Sequence, residues 1–347
     1  MTGMEQRVQE ARRSLGQDLL VLAHHYQRDE VVSQADYMGD SLELARRAAE
    51  SEARRIVFCG VSFMAETAAV MARPGQQVFL PRRDAGCFLA DQAEVGAVRR
   101  AWQALGQVMD VEREVLPVAY VNTSAVVKAF VGERGGWCCT SSSAERVLQA
   151  ALAERPRVLL LPDQHLGRNV ARRLGIPEEE IALWDPRYPP DDLQPFREAR
   201  LILWRGACNV HVRFLPQDVE RVCRQHPGAQ VIVHPECRPE VAALADEVGS
   251  TSLIVRRIRE APPGSAWAIG TEQRLVARLA RDHPDREVFS LVDPPPVCAT
   301  MSLTRLDDLA RILSRLAEGA AVEPVVVPEE VARPAREPVR RMLQLVG

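Results

Sequence analysis

Short apolar runs alternate with amphipathic stretches along almost the whole chain. A turn follows each apolar run, and in the stretch after the turn apolar residues recur three and four positions apart. The first pattern is typical of a strand covered on both faces, and the second of a helix with one apolar face. We predict strands at residues 19–24, 55–60, 77–81, 117–122, 157–163, 201–205, 230–236, 266–270 and 286–292.

Helices are predicted between these strands, most clearly at residues 40–53, 142–154, 239–248 and 305–316. Strands that alternate with helices at this spacing form right-handed βαβ units with parallel sheets, so the predicted fold class is α/β. Residues 175–200 read as an insertion with a surface loop at 185–192. A final helix at residues 338–345 is expected to pack back on the first unit.

Length and charge limit the classes of function. A chain of 347 residues suits two or three compact units, and 46% apolar with 26% charged residues is the profile of a globular protein. The net charge of −3, with arginines scattered along helix faces, gives no support to nucleic-acid binding or a polybasic membrane anchor. No apolar run approaches the roughly 18 residues of a spanning helix, and no signal peptide is recognisable. We therefore expect a cytoplasmic protein that binds neither nucleic acid nor membrane.

Three of the eight cysteines stand at similar places in the predicted fold. In a cytosolic chain cysteines pack as small apolar residues or bind metal, and the lack of a Cys-x-x-Cys pair argues against a zinc ribbon. Cys87, Cys208 and Cys298 each follow soon after a predicted strand, on a short turn. Ligands of open α/β sheets collect beyond the carboxyl ends of the strands. Three such ends meeting would bring the three thiols into one cavity.

Polar side chains two residues apart also recur at predicted strand ends. Residues spaced in this way leave a strand on the same side, so both can face a ligand. Taken singly, each pair has a structural explanation, such as a histidine satisfied by a carbonyl or a solvated pair on a loop. Three pairs beside three cysteines are hard to explain as packing. The pairs are His24 with Tyr26, Tyr120 with Asn122, and His234 with Glu236.

Hydroxyl side chains open several predicted helices. Ser41 and Ser141 stand at such positions, and Ser250 and Thr251 follow Gly249 on a turn. A serine or threonine there is by default a helix cap. The same hydroxyls, together with the helix N-terminus, can hold a carboxylate or a phosphate.

These residues resemble a known family, quinolinate synthase, over essentially the whole chain. The resemblance includes Ala23-His24-His25-Tyr26-Gln27 and His234-Pro235-Glu236-Cys237. It extends over residues 39–42, 58–61, 63–67, 85–87, 120–125, 162–167, 206–211, 249–251, 269–272 and 298–301. One departure is Ser143, where the family pattern leads us to expect asparagine.

The resemblance implies three pseudo-symmetric three-layer α/β/α domains with parallel sheets around a central 4Fe–4S cluster. The implied domains are residues 1–87 with 299–347, residues 88–208, and residues 209–298. Each would give one thiolate ligand, Cys87, Cys208 or Cys298. Three thiolates leave one iron of the cluster open, where it can act as a Lewis acid.

The resemblance also implies a reaction. The family condenses iminoaspartate with dihydroxyacetone phosphate, losing phosphate and two waters, to give quinolinate for NAD synthesis. Coupling to an iminoaspartate-producing enzyme stays open. Glu236 with His234 is expected to transfer protons, and Tyr26 with His24 to serve isomerisation and ring closure, although the division of roles is open. The expected substrate contacts are Ser41, Tyr120, Asn122, Ser141, His211, Ser250 and Thr251.

Two other classes of protein remain alternatives at this point. A non-catalytic iron–sulfur or zinc protein would close its metal site with a fourth ligand. An ordinary α/β enzyme whose cysteines are merely buried would be colourless and insensitive to oxygen. The visible absorbance of the anaerobically purified protein tests for a cluster, and a change in that spectrum on adding quinolinate tests whether the cluster is open.

Overall fold

The structure, a computed structural model, describes residues 2–346; Met1 and Gly347, at the outer ends of the first predicted domain, lie outside this part. Strands alternate with helices, and the strands of every sheet in the described chain are parallel, which confirms the α/β prediction. The strands are β1 (Leu19–His24), β2 (Tyr37–Gly39), β3 (Arg55–Cys59), β4 (Gln77–Phe79), β5 (Val115–Tyr120), β6 (Trp137–Cys139), β7 (Arg157–Leu161), β8 (Ile181–Trp184), β9 (Leu201–Trp204), β10 (Gln230–Val233), β11 (Glu247–Val248), β12 (Ala266–Gly270) and β13 (Glu287–Ser290).

Helices follow most of these strands and cover the sheets. They are α1 (Gly3–Leu15), α2 (Asp29–Val32), α3 (Ser41–Glu50), α4 (Ser62–Met71), α5 (Val95–Leu105), α6 (Val111–Glu114), α7 (Ala125–Glu133), α8 (Ala144–Glu154), α9 (Gln164–Arg173), α10 (Gln194–Glu198), α11 (Pro216–Gln225), α12 (Pro239–Leu244), α13 (Thr251–Glu260), α14 (Gln273–Asp282), α15 (Leu306–Ala317) and α16 (Glu329–Leu345).

The three sheets share one strand order. They run β2-β1-β3-β4, β6-β5-β7-β9-β8 and β11-β10-β12-β13. In each sheet the chain's second strand lies at the edge, beside the first, and the later strands, β8 excepted, follow on the other side in chain order. Only β8 has no counterpart in the other sheets, and it falls within the predicted insertion at residues 175–200. We refer to the parts of the chain around these sheets as the first, second and third units.

The nine predicted strands are all present, with ends shifted by a few residues. Four strands were missed, and each of them (β2, β6, β8 and β11) lies at the edge of its sheet and spans only two to four residues. A short edge strand pairs on one side only and needs no continuous apolar run, so its sequence carries little signal. The predicted helix at 239–248 was too long, because α12 ends at Leu244 and β11 follows.

Both faces of the sheets are covered, as the apolar runs predicted. In the second sheet Val118 and Leu160 belong to one buried cluster, whereas the neighbouring Ala119 and Leu161 belong to another. Alternate residues of a strand point to opposite faces, so the two clusters are the layers on either side of the sheet. The first of these clusters also includes Phe58 of the first sheet, and the first two units therefore share a core.

The C-terminal helix corrects one expectation. The helix begins at Glu329 rather than at residue 338, and it packs mainly on α7 and β6 of the second unit, with a smaller contact to α4 of the first. Ala332 and Ala335 lie in one small apolar cluster with residues of α7. At Gly132 of α7 the backbone of Pro334 leaves no room for a Cβ atom. Small residues on both helices allow this close approach, which a helical pattern alone does not reveal.

No helix in the described part of the chain is long and apolar enough to cross a membrane.

Candidate active site

One cavity lies where the carboxyl ends of strands from the three sheets meet. All three of the singled-out cysteines line it, together with most of the other predicted site residues. Ser250 does not line it. Ser250 lies in a neighbouring outer pocket that shares Ser141 with the cavity, and its hydroxyl caps α13 at Leu253. The predicted residues that line the cavity are His24, Tyr26, Ser41, Cys87, Tyr120, Asn122, Ser141, Cys208, His211, His234, Glu236, Thr251 and Cys298.

Each unit contributes to the cavity in the same three ways. The first strand of each sheet ends at a pair of polar residues, and the second strand ends at a hydroxyl beside a helix N-terminus. A cysteine follows the last strand of each sheet along the chain. The first unit contributes the pair His24 and Tyr26, the hydroxyl of Ser41, and Cys87. The second unit contributes Tyr120 and Asn122, Ser141, and Cys208. The third unit contributes His234 and Glu236, Thr251, and Cys298.

The three cysteines begin identical turns. The carbonyl of each accepts a hydrogen bond from the N–H four residues later, at 3.0 Å for Cys87 and 3.1 Å for Cys208 and Cys298. The N–H groups two and three residues after each cysteine point at its sulfur. Burial nevertheless raises the pKa of all three thiols, to about 12 for Cys87. A bound metal would reverse this preference, because it stabilises thiolate.

Two buried carboxylates that the sequence reasoning missed hold two of these turns. The N–H of Cys208 donates to Asp163 at 3.3 Å, and that of Cys298 donates to Glu272 at 3.2 Å. Each carboxylate also caps the helix that follows it. Burial raises the pKa of both. Asp163 and Glu272 both lie in stretches that carried the resemblance, but only the fold shows that each caps a helix and fixes a cysteine.

His24 and His234 occupy equivalent turns. Nδ1 of His24 accepts the N–H of Tyr26 at 3.1 Å, and Nδ1 of His234 accepts that of Glu236 at 3.3 Å. Burial lowers the pKa of each imidazole to about 3. Both rings are therefore neutral near pH 7. Because Nδ1 is an acceptor, the ring proton is on Nε2.

A chain of hydrogen bonds joins Tyr26 of the first unit to Glu236 of the third. The Tyr26 hydroxyl lies 2.8 Å from Oγ1 of Thr271, which lies 3.0 Å from Nε2 of His211. Nδ1 of His211 lies 2.7 Å from Oε2 of Glu236. When His211 is neutral, the Tyr26 hydroxyl donates to Thr271 and the Thr271 hydroxyl donates to Nε2 of His211. The Nδ1–H of His211 then donates to the Glu236 carboxylate. Thr271 was missed as a site residue, although it lies in one of the stretches that carried the resemblance.

Glu236 is kept ionised. Burial alone raises its pKa, but the neighbouring imidazoles of His234 and His211 and hydrogen bonds from His211 and Tyr120 outweigh burial and lower it below the usual range. The rings of His211 and His234 stack at 4.3 Å. Tyr26 behaves in the opposite way, since burial raises its pKa well above the ordinary value. The cavity therefore pairs a fixed carboxylate acceptor with a fixed phenol donor.

The residues fit a cluster held by three cysteines. The remaining five cysteines, Cys59, Cys138, Cys139, Cys223 and Cys237, do not line the cavity. Among the described residues that line it there is no lysine or arginine. Positive potential would come instead from the N-termini of α3, α8 and α13 and from a metal. Oδ1 of Asn122 is buried without a partner among the described residues, so it can accept a hydrogen bond from a ligand.

The fold and the cavity define an α/β protein in which three units share one thiol-lined polar site. Comparison with known proteins identifies the family. The model of the family described as quinolinate synthetase A protein matches residues 6–344. The chain belongs to this family.

Curated relatives are similar over nearly their whole length. A quinolinate synthase of Herpetosiphon aurantiacus is 45% identical over 348 residues, covering 99% of this chain and 93% of the relative. Quinolinate synthases of Geobacillus kaustophilus and Halalkalibacterium halodurans are each 46% identical, covering 99% and 98% of this chain and 93% of each relative.

Proposed function

We propose that this protein is a quinolinate synthase that condenses iminoaspartate with dihydroxyacetone phosphate, releasing phosphate and two waters, in NAD biosynthesis. Family membership and the names of the relatives support the activity. The observation that carries the site assignment is the convergence of three thiols, one from each unit, on a single cavity. The same cavity holds acid, base and hydroxyl groups suited to small anionic substrates.

Cys87, Cys208 and Cys298 would hold a 4Fe–4S cluster. When bound, such a cluster with one iron free of protein ligands supplies Lewis acidity for removing a hydroxyl group. The N–H groups directed at each sulfur, and the carboxylates behind Cys208 and Cys298, preorganise the three turns for this group.

Glu236 is the general base in this proposal. Its carboxylate is ionised, buried and held by His211 and Tyr120, so it can accept a carbon-bound proton without first losing one. His234 lies beside it with Nε2–H as a donor for a substrate oxygen. The hydrogen-bond chain from Tyr26 through Thr271 and His211 donates toward Glu236, so it stabilises the carboxylate in its ionised form.

Tyr26 and His24 form the opposing donor pair. Their rings are 4.7 Å apart, edge to face, and both are neutral near pH 7. A neutral phenol and a neutral imidazole can protonate a carbonyl or hydroxyl oxygen during isomerisation and ring closure.

Hydroxyls and helix N-termini would hold the substrate anions. Ser41, Ser141 and Thr251 line the cavity at the starts of α3, α8 and α13. Helix N-termini favour carboxylates and phosphates. Ser250, outside the cavity, would act on substrate only indirectly by capping α13.

The test is anaerobic assay of the purified protein with both substrates. We expect quinolinate and phosphate in equal amounts, a brown protein and about four irons per chain. Added quinolinate should change the visible spectrum of the cluster if one iron is open to ligands. A colourless protein with full activity would contradict the proposal.

Single cysteine substitutions supply matched variants. Cys87→Ala, Cys208→Ala and Cys298→Ala should each lose colour and turnover together. Cys223→Ala, at an exposed cysteine on α11, is the control and should keep both. Equal loss in all four variants would show that the effect is not specific to the proposed ligands.

A further inference from the structure

Cys208, His211 and Glu236 form a second group of side chains with metal-ligating atoms, which overlaps the three-cysteine group at Cys208. One ligand atom from each lies within 4.8 Å of the other two. His211 and Glu236 are 2% and 3% exposed, so water scarcely competes for them. A thiol, an imidazole and a carboxylate are the donors that zinc takes in proteins, at bond lengths of about 2.0–2.3 Å. Only Cys208 belongs to both groups.

The surroundings already orient these donors. Nε2 of His211 is held by Thr271, which leaves Nδ1 directed at Glu236. A hydrogen bond to the second ring nitrogen is the usual support of a metal-bound histidine. The Tyr120 hydroxyl steadies Glu236, and Asp163 holds the backbone of Cys208.

A metal ion would need few changes in this arrangement. It would take the place of the Nδ1 proton of His211, the neutral ring then carrying its proton on Nε2 and donating to Thr271, and it would release the proton of the Cys208 thiol to solvent. All three residues line the cavity, which has room for a small further ligand. This leaves a fourth position for water, as in zinc sites with three protein ligands.

We infer that the cluster-free protein binds a single divalent transition-metal ion, zinc in preference to iron, through Cys208, His211 and Glu236. Zinc is favoured because Zn²⁺ binds nitrogen and sulfur donors more tightly than Fe²⁺ does. This ion and the proposed cluster exclude each other, since both require the Cys208 thiolate. A captured zinc ion would therefore slow cluster assembly, a consequence that rests on the proposed function.

Cobalt(II) alone tests the site in the full-length chain purified anaerobically without cluster. We expect thiolate-to-cobalt charge transfer in the near ultraviolet, the visible bands of a four-coordinate ion, and a single ion per chain. Zinc should displace it in a calorimetric titration. Cys208→Ser, His211→Gln and Glu236→Gln should each abolish the charge-transfer band or weaken zinc binding by more than about tenfold, and Thr271→Val by about tenfold.

Cys87→Ser, Cys298→Ser and His234→Gln are the matched controls, since they alter the same cavity but leave the three donors. They should keep the cobalt spectrum. Loss of the spectrum in Cys298→Ser as fully as in Cys208→Ser would assign the ion to the cluster cysteines and overturn the inference. An unchanged spectrum in both His211→Gln and Glu236→Gln would also overturn it, as would failure of the parent chain to bind cobalt. Circular dichroism of every variant identifies those that do not fold.

Cluster assembly gives a second readout. Brown absorbance after addition of ferrous iron and sulfide should rise more slowly when zinc is added first. The delay should disappear in Glu236→Gln, which keeps all three cluster cysteines. A delay of equal length in that variant would contradict the competition. If the parent chain never turns brown, the proposed cluster fails, while the cobalt spectrum still decides the ion site.

Discussion

The ends of β1 and β10 are the same turn with different chemistry. Each starts with a neutral histidine whose Nδ1 accepts the N–H two residues later. The second residue is Tyr26 in one turn and Glu236 in the other. Burial keeps the phenol protonated, whereas neighbouring imidazoles and hydrogen bonds keep the carboxylate ionised. The repeated fold thus fixes where the groups stand, and one side chain per unit decides whether the turn donates or accepts a proton.

The largest effect is expected when the charge at the β10 turn is removed. Glu236→Gln keeps the size of the side chain but cannot accept a proton. We expect turnover to fall by about 10²–10⁴-fold with the brown colour retained. Quinolinate formation and the visible spectrum are the measurements. Tyr120→Phe, which removes a hydrogen bond to Glu236 but keeps the carboxylate, is the comparison and should lose about tenfold. Full turnover in a brown Glu236→Gln protein would show that Glu236 is not the base.

Loss of the donor at the β1 turn should have a smaller effect. Tyr26→Phe and Thr271→Val each break the hydrogen-bond chain, and we expect kcat to fall by roughly tenfold to a hundredfold in each. Because both belong to one chain, the double variant should lose little more than either single variant. Multiplicative losses would mean that Tyr26 and Thr271 act independently, and that the hydrogen-bond chain does not couple the two turns.

The buried neutral histidine that begins both turns predicts a smaller effect, on the free energy of unfolding. The pKa of His24 and of His234 is about 3 in the folded chain against about 6.5 unfolded. The stability that each contributes is complete above pH 6.5 and is lost as the pH falls toward 3. Lowering the pH from 7 to 5 should therefore reduce the free energy of unfolding by about 2 kcal/mol for each of the two histidines.

Urea unfolding of the cluster-free chain, with chelator present, measures this pH dependence. His24→Gln and His234→Gln should reduce the pH dependence of the unfolding free energy by similar amounts, because the two turns are equivalent. His283→Gln, at a partly exposed histidine, is the control and should leave it unchanged. A reduction in only one of the two variants would show that the turns differ in more than their second residue.

The sequence determined the α/β class, the central strands and the residues grouped at the strand ends. Continuous apolar runs such as β7 and β12 predict strands buried on both faces wherever they occur in the fold. Because polar pairs and cysteines recur after these runs, most residues that line the cavity were predictable without coordinates. The short edge strands were not, because β11, with Glu247 and Val248, has no pattern that separates it from the helix before it.

Only the tertiary structure decided which groups act together. Thr271 lies far along the chain from Tyr26, and Asp163 from Cys208, so no local pattern links them. The docking of α16 depended on Gly132 and small side chains on two distant helices. Tyr26 is neutral and Glu236 is ionised, and this difference also depends on neighbouring groups that the fold brings together. The sequence supplied the kinds of side chain at each strand end, and packing set their partners and protonation, because both depend on groups remote in the chain.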